Sequence, residues 1–157
     1  MALSKSNIKT AYPLPAYNYR VEIAGLAVGF SEVSGLSIKR ETTTYRESPT
    51  AGGSAGPVTM HMPAQITHPT ITLKKGVVRK GSVGVLYSWI NSIQINQVEK
   101  RDIYVRLCDE KGAPVISWKV INAFPTKLDA PSFSASSNDV AIETMELIGD
   151  SILIEEA

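Results

Sequence analysis

Tyr17-Asn18-Tyr19-Arg20-Val21-Glu22-Ile23 carries apolar side chains at every odd position and polar ones at every even position. Successive side chains of an extended chain point to opposite faces, so this alternation marks a strand with one dry and one wet face. The same period returns at Arg101 to Cys108. Ile103, Val105 and Leu107 share one face there, with Asp102, Tyr104 and Arg106 on the other. By that alternation Cys108 is expected to point outward. Asp109-Glu110-Lys111-Gly112 reads as a turn, and Val115 to Ile121 returns as the partner strand of a hairpin.

Working outward, Phe30 to Leu36 and Ser37 to Glu47 read as strand interrupted at Gly35, the second rich in threonine and charge and so edge-like. Ser48 to Pro57, SPTAGGSAGP, is a turn-forming insert. Val58 to Met62 and Thr70 to Lys75 are short strands, with Pro63 and Pro69 limiting what lies between them. Asn122 to Asn138 reads as irregular, and Asp139 to Leu147 and Ser151 to Ile154 close the chain as strands. The period changes only once. From Ser82, a candidate N-cap, Val83, Leu86, Ile90 and Ile93 fall on one face of a single helix. The predicted architecture is mainly β: two packed antiparallel sheets forming a sandwich or barrel with one α-helix.

The helix is unusual because nothing from Gly81 to Val98 is charged, whereas an exposed helix face normally carries charge. Tyr87 and Trp89 lie beside its core stripe. One reading covers the helix with its own loops; the other lays its outer face on another subunit, where charge is depleted and aromatics are enriched.

The chain has 157 residues, one domain's worth, and 43% are apolar, which excludes a disordered composition. Sixteen Lys and Arg against 15 Asp and Glu leave no polybasic footprint for nucleic acid or anionic membranes. The start, MALSKSNIKTAYPLP, lacks the apolar segment of a Sec signal, and the longest uncharged run holds too many polar residues to span a bilayer. A single cysteine excludes an internal disulfide framework.

Motifs that resemble chemistry fail on their own requirements. Gly76 to Ser82 has phosphate-loop glycine spacing, but Ser82 and Val83 stand where the lysine and the Ser or Thr are needed. Gly52-Gly53-Ser54-Ala55-Gly56 matches a nucleophile elbow, yet Pro57 follows and no acid lies between Ser54 and His68. His61 and His68 have no Asp, Glu or Cys between Ser48 and Lys80 to complete a metal site. Cys108 has no local activating group. We therefore expect no catalytic residues, no metal and no cofactor.

Several segments together resemble one family. YPLPAYNYRVEIAG, FSEVSGLSIKRETTTYRE, LKKGVVRKGSVGVLYSWINSI, VEKRDIYVRLCDEKGAPVISWKVINAFPTKLDAPSF and SSNDVAIETMELIGD occur in the order found in tail tube proteins of contractile injection systems. That phage-tail-like family includes extracellular injection particles of the antifeeding-prophage type. The resemblance runs from about Tyr12 to Ile154; Trp89-Ile90-Asn91, Asn122-Ala123-Phe124-Pro125 and SSNDVAIE are its most specific pieces. It departs at Met62-Pro63-Ala64, where many relatives have a Leu-Pro-Gly or Met-Pro-Gly turn.

The resemblance implies a non-enzymatic structural subunit. Homo-hexameric rings would stack into a hollow tube, driven through a target envelope by a contracting sheath. Partners would be the sheath protein, baseplate and tube-cap or terminator proteins, and cargo effectors in the lumen, without membrane anchoring or specific nucleic acid. The particle would be built in the bacterial cytoplasm and then released or retained. The chain would be a single tail-tube domain, 1–157, with a flexible N-terminus, 1–11, and an inter-subunit loop, 48–65, within a contact region spanning 42–65. Expected inter-subunit or inter-ring contacts are Thr44, Tyr45, Arg46, Gly52, Gly53, Pro57, Met62, Tyr87 and Trp89. Two alternatives predict different assemblies: a small-ligand-binding β-barrel module, which would be monomeric, and a tube-like ring at the baseplate.

Overall fold

The computed structural model describes residues 2–53, 55–80 and 83–156. Ten strands alternate along it: β1 Tyr19–Ile23, β2 Leu26–Val28, β3 Glu32–Ser34, β4 Lys39–Glu47, β5 Val58–Thr67, β6 Thr70–Gly76, β7 Arg101–Cys108, β8 Pro114–Asp129, β9 Ile142–Ile148 and β10 Ser151–Glu156. Helices are brief. Lys5–Ala11 forms α1, and a π-helical turn at Val83–Tyr87 runs into α2, Ser88–Asn91.

β1 and β2 are joined by the two-residue turn Ala24-Gly25, both with positive φ (53° and 82°). This is the twist a two-residue hairpin needs, and glycine adopts it freely. β1 then pairs with β7 in the register that the alternation demands: Val21 opposite Val105 and Ile23 opposite Ile103. All four are buried. β7 pairs with β8, and β10 covers the other side of β8, giving a first sheet in the order β2-β1-β7-β8-β10.

β8 is the pivot of the fold. Its first half, up to Ile121, belongs to this first sheet; its second half, Phe124 to Asp129, pairs with β9, which leads through β6 to β3. The two halves meet at Asn122, which has φ 52°. Asparagine tolerates that left-handed geometry better than most residues. The corner is held by hydrogen bonds: the Asn122 N–H donates to Asp102 Oδ1 (3.0 Å) and its side-chain amide donates to Asp150 Oδ2 (3.0 Å). The core lies between the sheets, with Val21, Ile103 and Val120 from one side meeting Ile71, Leu73, Met145 and Leu147 from the other.

Two expectations are corrected here. The stretch from Asn122 is not irregular throughout: β8 continues to Asp129, and Pro125 is accommodated because the register shifts between Pro125 and Lys127. The helix is shorter than the heptad-like spacing predicts. Its first turn is π-helical and α2 ends at Asn91, while Ser82, the expected N-cap, lies outside the described residues. A second helix, α1, lies in the segment 1–11 for which a flexible N-terminus is expected; Ser4 caps it by accepting the Asn7 N–H (3.2 Å). None of its residues is buried. An exposed ion pair, Lys9 to Glu110 at 2.9 Å, links it to the β7–β8 turn.

Cys108 also departs from the simple alternation. The register shifts between Leu107 and Cys108, which turns the thiol inward to 4% exposure. A bulge inserts one residue and so exchanges faces for everything beyond it.

Candidate functional site

β4 and β5 pair only with each other and stand apart from both sheets. All of β4 is exposed, as is β5 up to Ile66, with Thr67 half-buried. β4 is nine residues long, so at about 3.3 Å per residue the arm is roughly 30 Å long. Its base rests on Gly35 and the start of β6. Gly35 has φ 86°, and a Cβ there would strike the Thr70 carbonyl. Thr67 Oγ1 donates to Glu41 (2.7 Å) across the base. That hydrogen bond, with Lys39 nearby, holds the Glu41 carboxyl below its ordinary value.

Cross-strand register sorts the arm into two faces. Tyr45 lies opposite Met60, Thr43 opposite Met62 and Glu47 opposite Val58. One face is thus a stripe of Tyr45, Val58, Met60 and Met62, each between 41% and 50% exposed. The other carries Thr44, Arg46, Thr59 and His61. Pro63 does not end β5 as the sequence suggested. It sits opposite Thr42 beside a register shift, on a ribbon with no third strand to need its missing N–H. At the tip Gly56 packs closely on Pro49, whose ring a Cβ on Gly56 would overlap.

Five of the expected contact residues, Thr44, Tyr45, Arg46, Pro57 and Met62, are therefore on or beside the arm, with Gly52 and Gly53 at its tip. Tyr87 is exposed on the π-helical turn and lines a separate recess with Val77, Leu128, Phe133 and Glu143. Trp89 is a correction. It is 2% exposed, its indole N–H donates to the Glu99 carbonyl (2.8 Å), and the Arg101 guanidinium lies 4.7 Å from the ring centre. It anchors the subunit's own core and offers no surface to a neighbour. Sequence reasoning missed Val58 and Met60, although the period-two run from Val58 to Met62 was a signal for one continuous apolar face.

Elsewhere several charged side chains pair with one another. On the wet face of the first sheet Arg106 reaches Glu22 (3.0 Å) and Ser117 (3.3 Å), and Glu22 also meets Arg20 (3.1 Å). Lys119 lies 5.4 Å from the Tyr104 ring centre and 3.9 Å from Asp102. Among the described residues no three His, Cys, Asp or Glu side chains cluster to hold a metal ion. His61 is on the arm, and His68 Nδ1 is 3.2 Å from the Asp150 carbonyl. No described helix is long and apolar enough to cross a membrane. The geometry is that of a surface for joining, with a long uncovered apolar ribbon.

Comparison with known proteins accords with that reading. No curated protein matches the sequence. A chain from the PVC sheath-tube complex of an extracellular contractile injection system in the extended state is 38% identical, with a TM-score of 0.89, covering 99% of this chain and 100% of that one. A chain from the anti-feeding prophage cap, described as the tube terminating cap, is 40% identical over the full length of both, with a TM-score of 0.84. A chain of the anti-feeding prophage baseplate shares the fold at 20% identity, with a TM-score of 0.70 over 88% of this chain and 91% of that one. The family model of the T4-like virus tail tube protein gp19 matches residues 15–152. The chain belongs to this tail tube family, a family of structural proteins, and is a tail tube protein of contractile injection systems.

Proposed function

We propose that the chain is the repeating inner-tube subunit of such a particle. Six copies close head-to-tail into a ring, and rings stack into a hollow tube that a contracting sheath drives through a target envelope, with cargo effectors in the lumen. Assembly takes place in the cytoplasm, on a baseplate, and a cap or terminator ends the tube. The observation that carries this reading is the arm. A two-stranded ribbon is marginal alone in water, and this one leaves four large apolar side chains half-exposed. Covering what remains of Tyr45, Val58, Met60 and Met62 is worth about 1 kcal/mol each, or about 4 kcal/mol per arm, repeated at every subunit. A heterologous contact of this kind, made by every copy, closes rings or builds filaments.

The 38% and 40% identities to a tube-complex chain and a cap chain, against 20% to a baseplate chain, support the main tube over a baseplate ring. Negative-stain electron microscopy with light scattering at rising concentration, with and without baseplate and sheath proteins, tests the proposal. Rings or tubes of uniform diameter are expected. Monomers at every concentration, with both partners present, would refute it.

A further inference from the structure

α1 is patterned to bury one side, yet none of its residues is buried. Ser4 is the N-cap, Leu3 precedes it and Ile8 stands four places beyond it, the spacing at which two apolar residues staple a helix start. Tyr12 follows Ile8 by one turn, and Leu3, Ile8 and Tyr12 are all exposed. Ser6 and Thr10 hold the opposite side, where the Thr10 hydroxyl donates to the Ser6 carbonyl (3.0 Å). A helix of seven residues is marginal alone in water and draws its stability from burying an apolar face. The Lys9–Glu110 pair that ties it to the β7–β8 turn joins two well-exposed side chains and contributes little.

The surface that α1 lacks lies beside it. A recess of about 810 Å³ is lined from β1, β3, β7 and β8, and Phe30, Val33 and Trp118 in its wall pack on the core. Its charged lining residue, Glu32, is paired with Lys74 (3.4 Å), so the wall calls for an apolar occupant. The chain leading from α1 is already seated there. Leu14, Ala16 and Tyr17 line the recess, and Leu14 also lines the gap beneath α1 with Ile8 and Tyr12. Tyr12 is two residues from Leu14 and Ile8 is six, so α1 is far more concentrated at this recess than any second copy in dilute solution. We infer that α1 is a strap that closes over the recess of its own copy, seating Ile8 and Tyr12 against Phe30 and Trp118 as Lys9 leaves Glu110. Closure exchanges one exposed ion pair for the burial of two large apolar side chains, which favours the closed state. The strap is a property of the free subunit and does not depend on the arm. It keeps an apolar recess of the unassembled chain hidden.

Short-range quenching of a bimane dye by Trp118 tests it. The dye is attached through S6C, on the polar side of α1, and buried Cys108 leaves the parent chain unlabelled as a control. In dilute monomer the emission should be quenched, and W118F should raise it about twofold or more, since most of the population is closed. I8S/Y12S keeps the tether and removes the seated side chains, so it should raise the emission as W118F does. K9Q should leave the quenching in place, because the ion pair is not part of the closed state. Urea unfolding of dilute monomer checks that each variant is folded. Should W118F fail this check, acrylamide quenching of Trp118 replaces it, Trp89 being buried, and I8S/Y12S should raise the quenching constant about twofold.

Emission unchanged by W118F, or an acrylamide constant unchanged by I8S/Y12S, would overturn the strap. So would quenching that survives I8S/Y12S, since apolar seating would then not be what brings α1 to Trp118. Loss of quenching in K9Q would assign the approach to the ion pair and overturn it as well. Labelled W118F mixed with excess unlabelled parent separates the copies. It should stay bright; quenching in the mixture would place α1 in the recess of another copy and refute closure within one chain.

Discussion

Gly35 and Gly25 form a matched pair that isolates one steric contact. Both have positive φ, 86° and 82°, so alanine at either pays the left-handed penalty of about 1–2 kcal/mol. Around Gly25 nothing lies within reach of a new Cβ. At Gly35 the added carbon would meet the carbonyl of Thr70 and crowd the Ile71 Cα, all of it backbone at the start of β6. Backbone cannot rotate away as a flexible side chain can, and such overpacking adds about 1–3 kcal/mol. Gly25→Ala should therefore cost about 1–2 kcal/mol and Gly35→Ala about 2–5 kcal/mol. Urea unfolding of dilute monomer, followed by the fluorescence of Trp89 and Trp118, measures both on the same baseline. Costs that agree within about 0.5 kcal/mol would refute the claim that Gly35 is a point of close backbone approach. Because Gly35 stands at the foot of the arm, its alanine variant should also assemble worse than Gly25→Ala at equal monomer stability.

Met62→Lys should abolish or strongly retard tube formation in light scattering while changing monomer stability by no more than about 0.5 kcal/mol, since the side chain is a surface one in the isolated subunit. Trp89→Phe keeps the ring buried but leaves the Glu99 carbonyl without its donor, and should destabilise the monomer by about 1–3 kcal/mol in the same urea assay. Asp109 accepts the backbone N–H groups of Ala113 and Lys111 (both 2.9 Å), which lower its pKa below the ordinary 3.8. Its contribution is thus present above that value and fades as the pH falls through the depressed folded value. Asp109→Ala should flatten the acid limb of the stability profile below about pH 4 and leave the rest of its shape unchanged.

How much was legible follows from where each residue's surroundings come from. β1 and β7 were readable because the alternation of Val21, Ile23, Ile103 and Val105 is itself the burial pattern. Where a register shift intervenes the pattern stops being local. Cys108 turns inward one residue after a clean alternation, and Pro125 sits within a strand because a bulge on its pairing with β9 makes room. Neither shift leaves a mark in the residue types. Trp89 was misplaced for a related reason. Its neighbours are uncharged, which fits both a covered core aromatic and a subunit contact, and only the Glu99 carbonyl and Arg101 decide between them. The arm was recognised from the family resemblance as a contact region. Its apolar face became visible only when register put Tyr45 beside Met60 across two strands separated by the tip loop. The recess at Glu143 could not be read at all, because residues from 77 to 143 meet there through tertiary structure alone.

The bend of β8 at Asn122 has a mechanical consequence for a tube subunit under load. In a sandwich whose sheets touch only through side chains, a push applied to one layer is resisted by packing, which yields by sliding. Here a single continuous backbone runs from one layer into the other. It is gripped by β7 and β10 before the bend and by β9 after it. Shear between the layers would have to stretch covalent bonds or peel ladders of hydrogen bonds on both sides at once. The subunit consequently moves as one stiff block under axial load, and compliance is confined to the joints between copies.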